Sequence, residues 1–163
     1  GLPTTGLRLF TVYGEWGRPD MAPMIFANSI LSRKPIKIFN HGKMHRDFTY
    51  IGDVTEAIMR CCFKPATINP NFDTKVPEPS TSSCAFRIFN VGNSKPIKLL
   101  DFIAALEKVL GMDAIKEFLP IQDGDVVYTA ADTRALDKWI GYKPDTSLDY
   151  GIKKFVRWYK YYY

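Results

Sequence analysis

Two rhythms of apolar and polar positions run along this chain. Leu7 to Tyr13 is short, rich in β-branched and aromatic residues, and closed by Gly6 and Gly14, which predicts a strand covered on both faces. Gly17-Arg18-Pro19-Asp20 is a run of turn formers and predicts a loop. Met24, Ile25, Asn28, Ile30 and Leu31 then fall at helical spacing within residues 23–32. Pro35 to Phe39 alternates as a short strand, His41-Gly42-Lys43 reads as a hairpin turn, and Asp47 to Ile51 returns as a strand. Asp53 followed by Glu56 has the spacing of a capping box opening a helix through Cys62.

Residues 64–85 break both rhythms. Pro65, Pro70, Pro77 and Pro79 fall here with Ser80, Thr81, Ser82 and Ser83, so the expectation is a flexible Pro/Ser-rich surface insertion. Order resumes with a strand over Phe86 to Gly92. Leu99, Phe102, Ile103, Leu106 and Leu110 then mark one helix face, with Gly111 positioned to end the helix. Ile115 to Leu119 is a further strand, Thr133 to Ile140 a helix stopped by Gly141, and Ser147 a cap for a last helix through Tyr159. Strands alternating with helices define an α/β protein. Leu7–Tyr13 and Phe86–Val91 have the character of interior strands, yet few others are available to flank them. A buried strand needs neighbours for its backbone groups, so a preceding portion of a larger protein, or self-association with another copy, is expected to supply the cover.

With 163 residues, 46% hydrophobic and 24% charged, the chain has the size and composition of one globular domain, not of a disordered or fibrous protein. No apolar run approaches the roughly 20 residues that cross a bilayer, and no basic-then-apolar leader is visible, so neither a membrane nor secretion is expected. Three cysteines without metal or disulfide spacing fit a cytoplasmic protein with free thiols. His41 and His45 lack ligand-spaced partners, so no metal site is expected. The net charge of +5 suits an anionic partner without specifying one. The basic, aromatic end Arg157-Trp158-Tyr159-Lys160-Tyr161-Tyr162-Tyr163 has the texture of a single-strand platform. Phe155, Val156 and Tyr159 instead fit a helix docked on its own domain, and no nucleic acid is expected.

Seven stretches, in order, carry a resemblance. They are Leu2-Pro3-Thr4-Thr5-Gly6-Leu7-Arg8, Phe10-Thr11-Val12-Tyr13-Gly14, Trp16-Gly17-Arg18-Pro19-Asp20-Met21-Ala22, Arg46-Asp47-Phe48-Thr49-Tyr50-Ile51, Phe89-Asn90-Val91-Gly92-Asn93, Gln122-Asp123-Gly124-Asp125-Val126 and Gly141-Tyr142-Lys143-Pro144. Together they resemble the C-terminal half of extended short-chain dehydrogenases/reductases of the NAD-dependent epimerase/dehydratase family. More narrowly they are similar to UDP-glucuronate 4-epimerases and related bacterial nucleotide-sugar epimerases. Glu15 and Asp123 stand where the family usually has proline.

The resemblance implies a Rossmann-like α/β fold in which residues 1–163 form the UDP-sugar-binding portion plus two strands that would complete a parallel sheet. It implies that the NAD-binding portion and the catalytic Tyr-x-x-x-Lys lie outside this chain. No two of the eleven glycines are separated by one residue, so the G-x-G turn that dinucleotides need is missing and NAD is not expected to bind this chain alone. Tyr150-Gly151-Ile152-Lys153-Lys154 has the Tyr-x-x-x-Lys spacing but lies in the last helix, where an i,i+4 surface pair accounts for it.

By the same resemblance, Arg46 contacts the UDP diphosphate, a role suited to the planar donor fork of a guanidinium. Thr11 and Arg18 hold the sugar carboxylate, the alternatives being strand packing for Thr11 and a loop ion pair with Asp20 for Arg18. Phe39 and Asn40 line the uracil site, or Phe39 is core. Gln122 and Asp125 border the nucleotide, or simply form a turn. Arg18 and Arg46 are thus expected to face one hollow. The implied function is the UDP-sugar part of an epimerase that uses NAD to interconvert UDP-glucuronate and UDP-galacturonate at C4. The alternative is a non-catalytic nucleotide-sugar-binding or assembly module.

Overall fold

A computed structural model describes residues 1–163. The order of elements is β1 (Thr4–Leu9), β2 (Thr11–Tyr13), α1 (Ala22–Leu31), β3 (Pro35–Ile38), β4 (His45–Arg46), β5 (Phe48–Tyr50), α2 (Ile51–Phe63), β6 (Phe86–Val91), β7 (Ile97–Lys98), α3 (Leu99–Leu110), β8 (Ile115–Phe118), α4 (Arg134–Ile140) and α5 (Leu148–Tyr162). The α/β alternation read from the sequence is the architecture found.

The apolar run from Leu7 to Tyr13 is two strands. β1 runs parallel to β6 with Leu7 opposite Phe89. The ladder ends where Phe10 N–H donates to the Val91 carbonyl at 3.1 Å. Beyond that point β2 pairs in parallel with β5, Thr11 opposite Phe48. A change of hydrogen-bonding partner leaves no mark in hydrophobic alternation, so the break at Phe10 was not visible in it. β6 is the only strand paired with β1.

The predicted hairpin at His41-Gly42-Lys43 is not one. Phe39–Gly42 forms a tight turn in which Asn40 and His41 have positive φ. The strand before it, β3, pairs in parallel with the distant β8. β4 pairs antiparallel with β7. The turn is therefore a corner that sends the chain to a different ladder.

The capping box at Asp53 is also corrected. α2 starts three residues earlier, with Tyr50 at its N-cap. The Asp53 carboxylate instead accepts from the Tyr142 hydroxyl at 3.0 Å, Thr146 N–H at 2.9 Å and Thr146 Oγ1 at 2.7 Å. It ties the start of α2 to the segment before α5. Glu56 pairs with Arg60 along the helix. Gly111 and Gly141 end α3 and α4 in the left-handed conformation, and Ser147 caps α5 by accepting from Tyr150 N–H, all as the sequence predicts. α5 runs three residues further than expected: Trp158 stacks on Tyr162 and Trp16 packs edge-on against Tyr162, so the aromatic end continues the helix.

Two apolar clusters hold these elements. The larger joins α1, α3 and α5 around β3 and β5, with Phe102, Phe155, Ile30 and Ile38 at its centre. Phe48 stacks on Phe102 at 4.1 Å. Gly151 lets α5 approach β2, since a Cβ there would fall on the Tyr13 hydroxyl. The smaller cluster packs α2 and α4 on Phe89 and Val91 of β6. Residues 64–85 contain no helix, and their last part lies along β6. Ile88 N–H donates to the Ser80 carbonyl at 2.9 Å, and Thr81 bridges antiparallel to Arg87. That covers an edge that would otherwise present unpaired backbone groups.

Candidate functional site

A cavity of about 640 Å³ opens where β2, α1, β3, β4 and the 122–125 turn meet. Each wall comes from a local sequence feature. Thr11 starts β2, Phe39 opens the corner turn after β3, and Asp20 and Met21 lead into α1. Arg46 sits on β4, which is held on two sides. His45 N–H donates to the Val127 carbonyl at 2.9 Å, and Arg46 pairs with Ile97 of β7.

The Arg46 side chain is only 16% exposed, and its Nη2 donates to Asp125 Oδ1 at 2.7 Å. Asp125 is fixed by a tight turn: its N–H donates to the Gln122 carbonyl at 3.1 Å, and Gly124 takes φ +79°. That is the geometry of a turn requiring glycine at its third position. A largely buried guanidinium held in one orientation at a cavity wall can serve an anion without first being ordered.

Of the residues singled out in the sequence, Thr11, Phe39, Arg46, Gln122 and Asp125 line this cavity. Arg18 and Asn40 do not. The Arg18 side chain is 74% exposed and grips Asp20 with both ends of its fork, Nε to Oδ1 at 3.1 Å and Nη2 to Oδ2 at 2.5 Å. The pairing raises the pKa of Arg18 and lowers that of Asp20. Asp20 itself lines the cavity, so Arg18 stands one ion pair away from it. Asn40 Nδ2 donates to the Lys43 carbonyl at 3.0 Å, a turn-stabilising role. Tyr150 and Lys154 form the surface pair expected on α5, with the ammonium 5.7 Å from the ring centre. Glu15, in place of the family's proline, accepts from the Tyr50 hydroxyl at 2.9 Å. Burial, then this bond, pushes the Tyr50 pKa up.

Sequence reasoning missed Lys37, Asp20 and Met44 as wall residues. Lys37 was within reach: strand alternation puts it opposite the buried Ile36 and Ile38.

Residues 1–76 match the model of the NAD dependent epimerase/dehydratase family. The chain is 46% identical to Protein CapI of Staphylococcus aureus, over 99% of this chain and 48% of that protein. It is 42% identical to a probable UDP-glucuronate 4-epimerase of Rhizobium meliloti, over 97% of this chain and 47% of that one. Among solved structures it superimposes on the UDP-glucuronic acid 4-epimerase of Bacillus cereus, in complex with UDP-glucuronic acid and NAD. The TM-score is 0.80 at 31% identity, covering 99% of this chain and 46% of that one. The chain belongs to the NAD dependent epimerase/dehydratase family. It spans about half the length of the curated relatives it matches.

The β2–α1 unit does not offer the open glycine turn that a dinucleotide needs. Gly14 and Gly17 face protein there: a Cβ on Gly14 would strike Ile51, and one on Gly17 would meet Met24 at 3.3 Å. Proline also occupies the first turn of α1, which removes one of the amide donors a pyrophosphate would use. No helix of this epimerase-family chain is long and apolar enough to cross a membrane.

Proposed function

We propose that this chain is the nucleotide-sugar-binding part of a cytoplasmic, NAD-dependent nucleotide-sugar epimerase that interconverts UDP-glucuronate and UDP-galacturonate at C4. The observation that carries the proposal is the oriented, largely buried guanidinium of Arg46 in the wall of a cavity that Thr11 and Phe39 also line. Arg46 binds the diphosphate, Phe39 lies against the base, and Gln122 and Asp125 border the nucleotide, with Asp125 holding Arg46 in place. The Arg18–Asp20 pair supports a carboxylate role. Asp20 offers Arg18 the same group that a glucuronate would, so the sugar acid takes over an existing geometry, with Thr11 beside it. The NAD site and the proton-transferring tyrosine belong to the other half of the enzyme.

UDP is expected to bind the chain and to shift the amide resonances of Thr11, Phe39, Arg46 and Gln122 in an NMR titration. The chain supplied with UDP-glucuronate and NAD is expected to form no galacturonate. Absence of a UDP-dependent shift at those residues would overturn the proposal, and steady turnover would overturn the division of labour.

The partner is a second body that covers β1, either the other half of the enzyme or another copy of this chain. β1 pairs on one side only, and a parallel strand with a free edge attracts another. Light scattering at increasing concentration is expected to report a mass above that of one chain. A constant monomer mass would count against self-association.

A further inference from the structure

Four charged side chains line the cavity: Asp20, Lys37, Arg46 and Asp125. Asp20 is paired with Arg18, and Arg46 with Asp125. Lys37 takes part in none of the chain's ion pairs. The other lining charges are paired, so Lys37 is the one charge in the cavity wall outside an ion pair; Glu117, opposite it on β8, does not line the cavity. Its position is set by β3: Ile36 and Ile38 are locked into the core, and Pro35 and Lys37 are left on the opposite side, where both border the cavity.

We propose that Lys37 is a specificity-determining residue of this site, whose ammonium group contacts the phosphates of a nucleoside-diphosphate ligand. The inference rests on the nucleotide-sugar reading above. Arg46 must share its donors with Asp125, whereas Lys37 forms no ion pair, although Glu117 stands opposite it in the β3–β8 ladder. An incoming dianion therefore meets Lys37 as its first unpaired partner. A lysine on a flexible stem serves as a point charge for phosphate without demanding a fixed orientation. The neutral nucleoside gains nothing from it.

Calorimetric titration of the 163-residue chain with UDP and with uridine tests this, using Lys37→Met, Lys37→Arg and Arg46→Ala. Lys37→Met keeps the stem and removes the charge. It is expected to weaken UDP binding about five- to tenfold at low salt and to flatten the salt dependence of that affinity. Uridine affinity is expected to stay unchanged, and Lys37→Arg to restore UDP binding. Lys37 is exposed, so a thermal melt of each variant should match that of the unaltered chain. If Lys37→Met binds UDP as tightly as the unaltered chain while Arg46→Ala loses it, the role of Lys37 is wrong and the nucleotide-sugar reading stands. An equal loss for uridine and UDP would reassign Lys37 to the base and overturn the phosphate contact. If the unaltered chain binds neither, the underlying reading falls and takes this inference with it.

Discussion

Asp47→Ala is expected to destabilise the chain by about 2–6 kcal/mol, from the cost of about 1–3 kcal/mol for each of two donors left without a partner. Asp47 is completely buried. Its Oδ1 accepts from Asn93 N–H at 2.8 Å, and its Oδ2 from Ser94 N–H at 3.0 Å and Ala131 N–H at 2.8 Å. Asn93 N–H retains a second acceptor in Thr49 Oγ1 at 3.1 Å, so Ser94 and Ala131 are the amides left fully orphaned. One carboxylate thus joins the start of β5, the turn after β6 and the segment before α4. Gly92 permits this convergence, since a Cβ there would collide with Ala131 and approach Asp47 Oδ2 to 3.0 Å. Small domains are stable by only about 5–15 kcal/mol, so the loss is a large share of the total. Urea unfolding monitored by tryptophan fluorescence measures it. Asp47→Asn keeps the shape but turns an amide NH2 toward backbone donors, and is expected to fall between the alanine variant and the unaltered chain. A midpoint unchanged in the alanine variant would show that these amides find other partners and that the hub is dispensable.

Arg46→Ala is expected to weaken UDP binding about 10–150-fold, the equivalent of one charge-assisted hydrogen-bonding group worth about 1.5–3 kcal/mol. The side chain is held before any ligand arrives, by Asp125 on one side and by its own strand on the other. Little conformational entropy is then lost on binding, and most of the interaction appears as affinity. Arg46→Lys keeps the charge without the planar fork and is expected to lie between the two. Removing Arg46 also leaves Asp125, at 31% exposure, without its partner. Thermal melts without ligand separate that structural cost from the binding loss. UDP affinity within threefold of the unaltered chain in a folded Arg46→Ala variant would remove Arg46 from the site.

Two of the four cavity charges and both carboxylate hubs are explained by partners far away in the chain. Arg46 and Asp125 are 79 residues apart, Asp47 and Ala131 are 84 apart, and Asp53 and Thr146 are 93 apart. From sequence, Asp53 is an attractive helix cap because its nearest neighbours have the right spacing. In the fold, distant donors outbid the local ones and the helix starts earlier.

The sequence by itself determined the α/β class, the buried faces of α3 and α5, the helix ends at Gly111, Gly141 and Ser147, and five of the residues that line the cavity. These depend on local periodicity, on backbone preferences of single residues, or on motifs whose order along the chain survives intact. Only the tertiary structure decided that the strand from Leu7 to Tyr13 divides at Phe10, that β3 pairs with β8 across the corner at Asn40, that Arg46 is engaged by Asp125, and that Lys37 alone among the cavity charges is in no ion pair. Alternation along a strand records which side faces the core. The partner that satisfies a hydrogen bond or a charge is chosen by three-dimensional proximity, which no local window of residues contains.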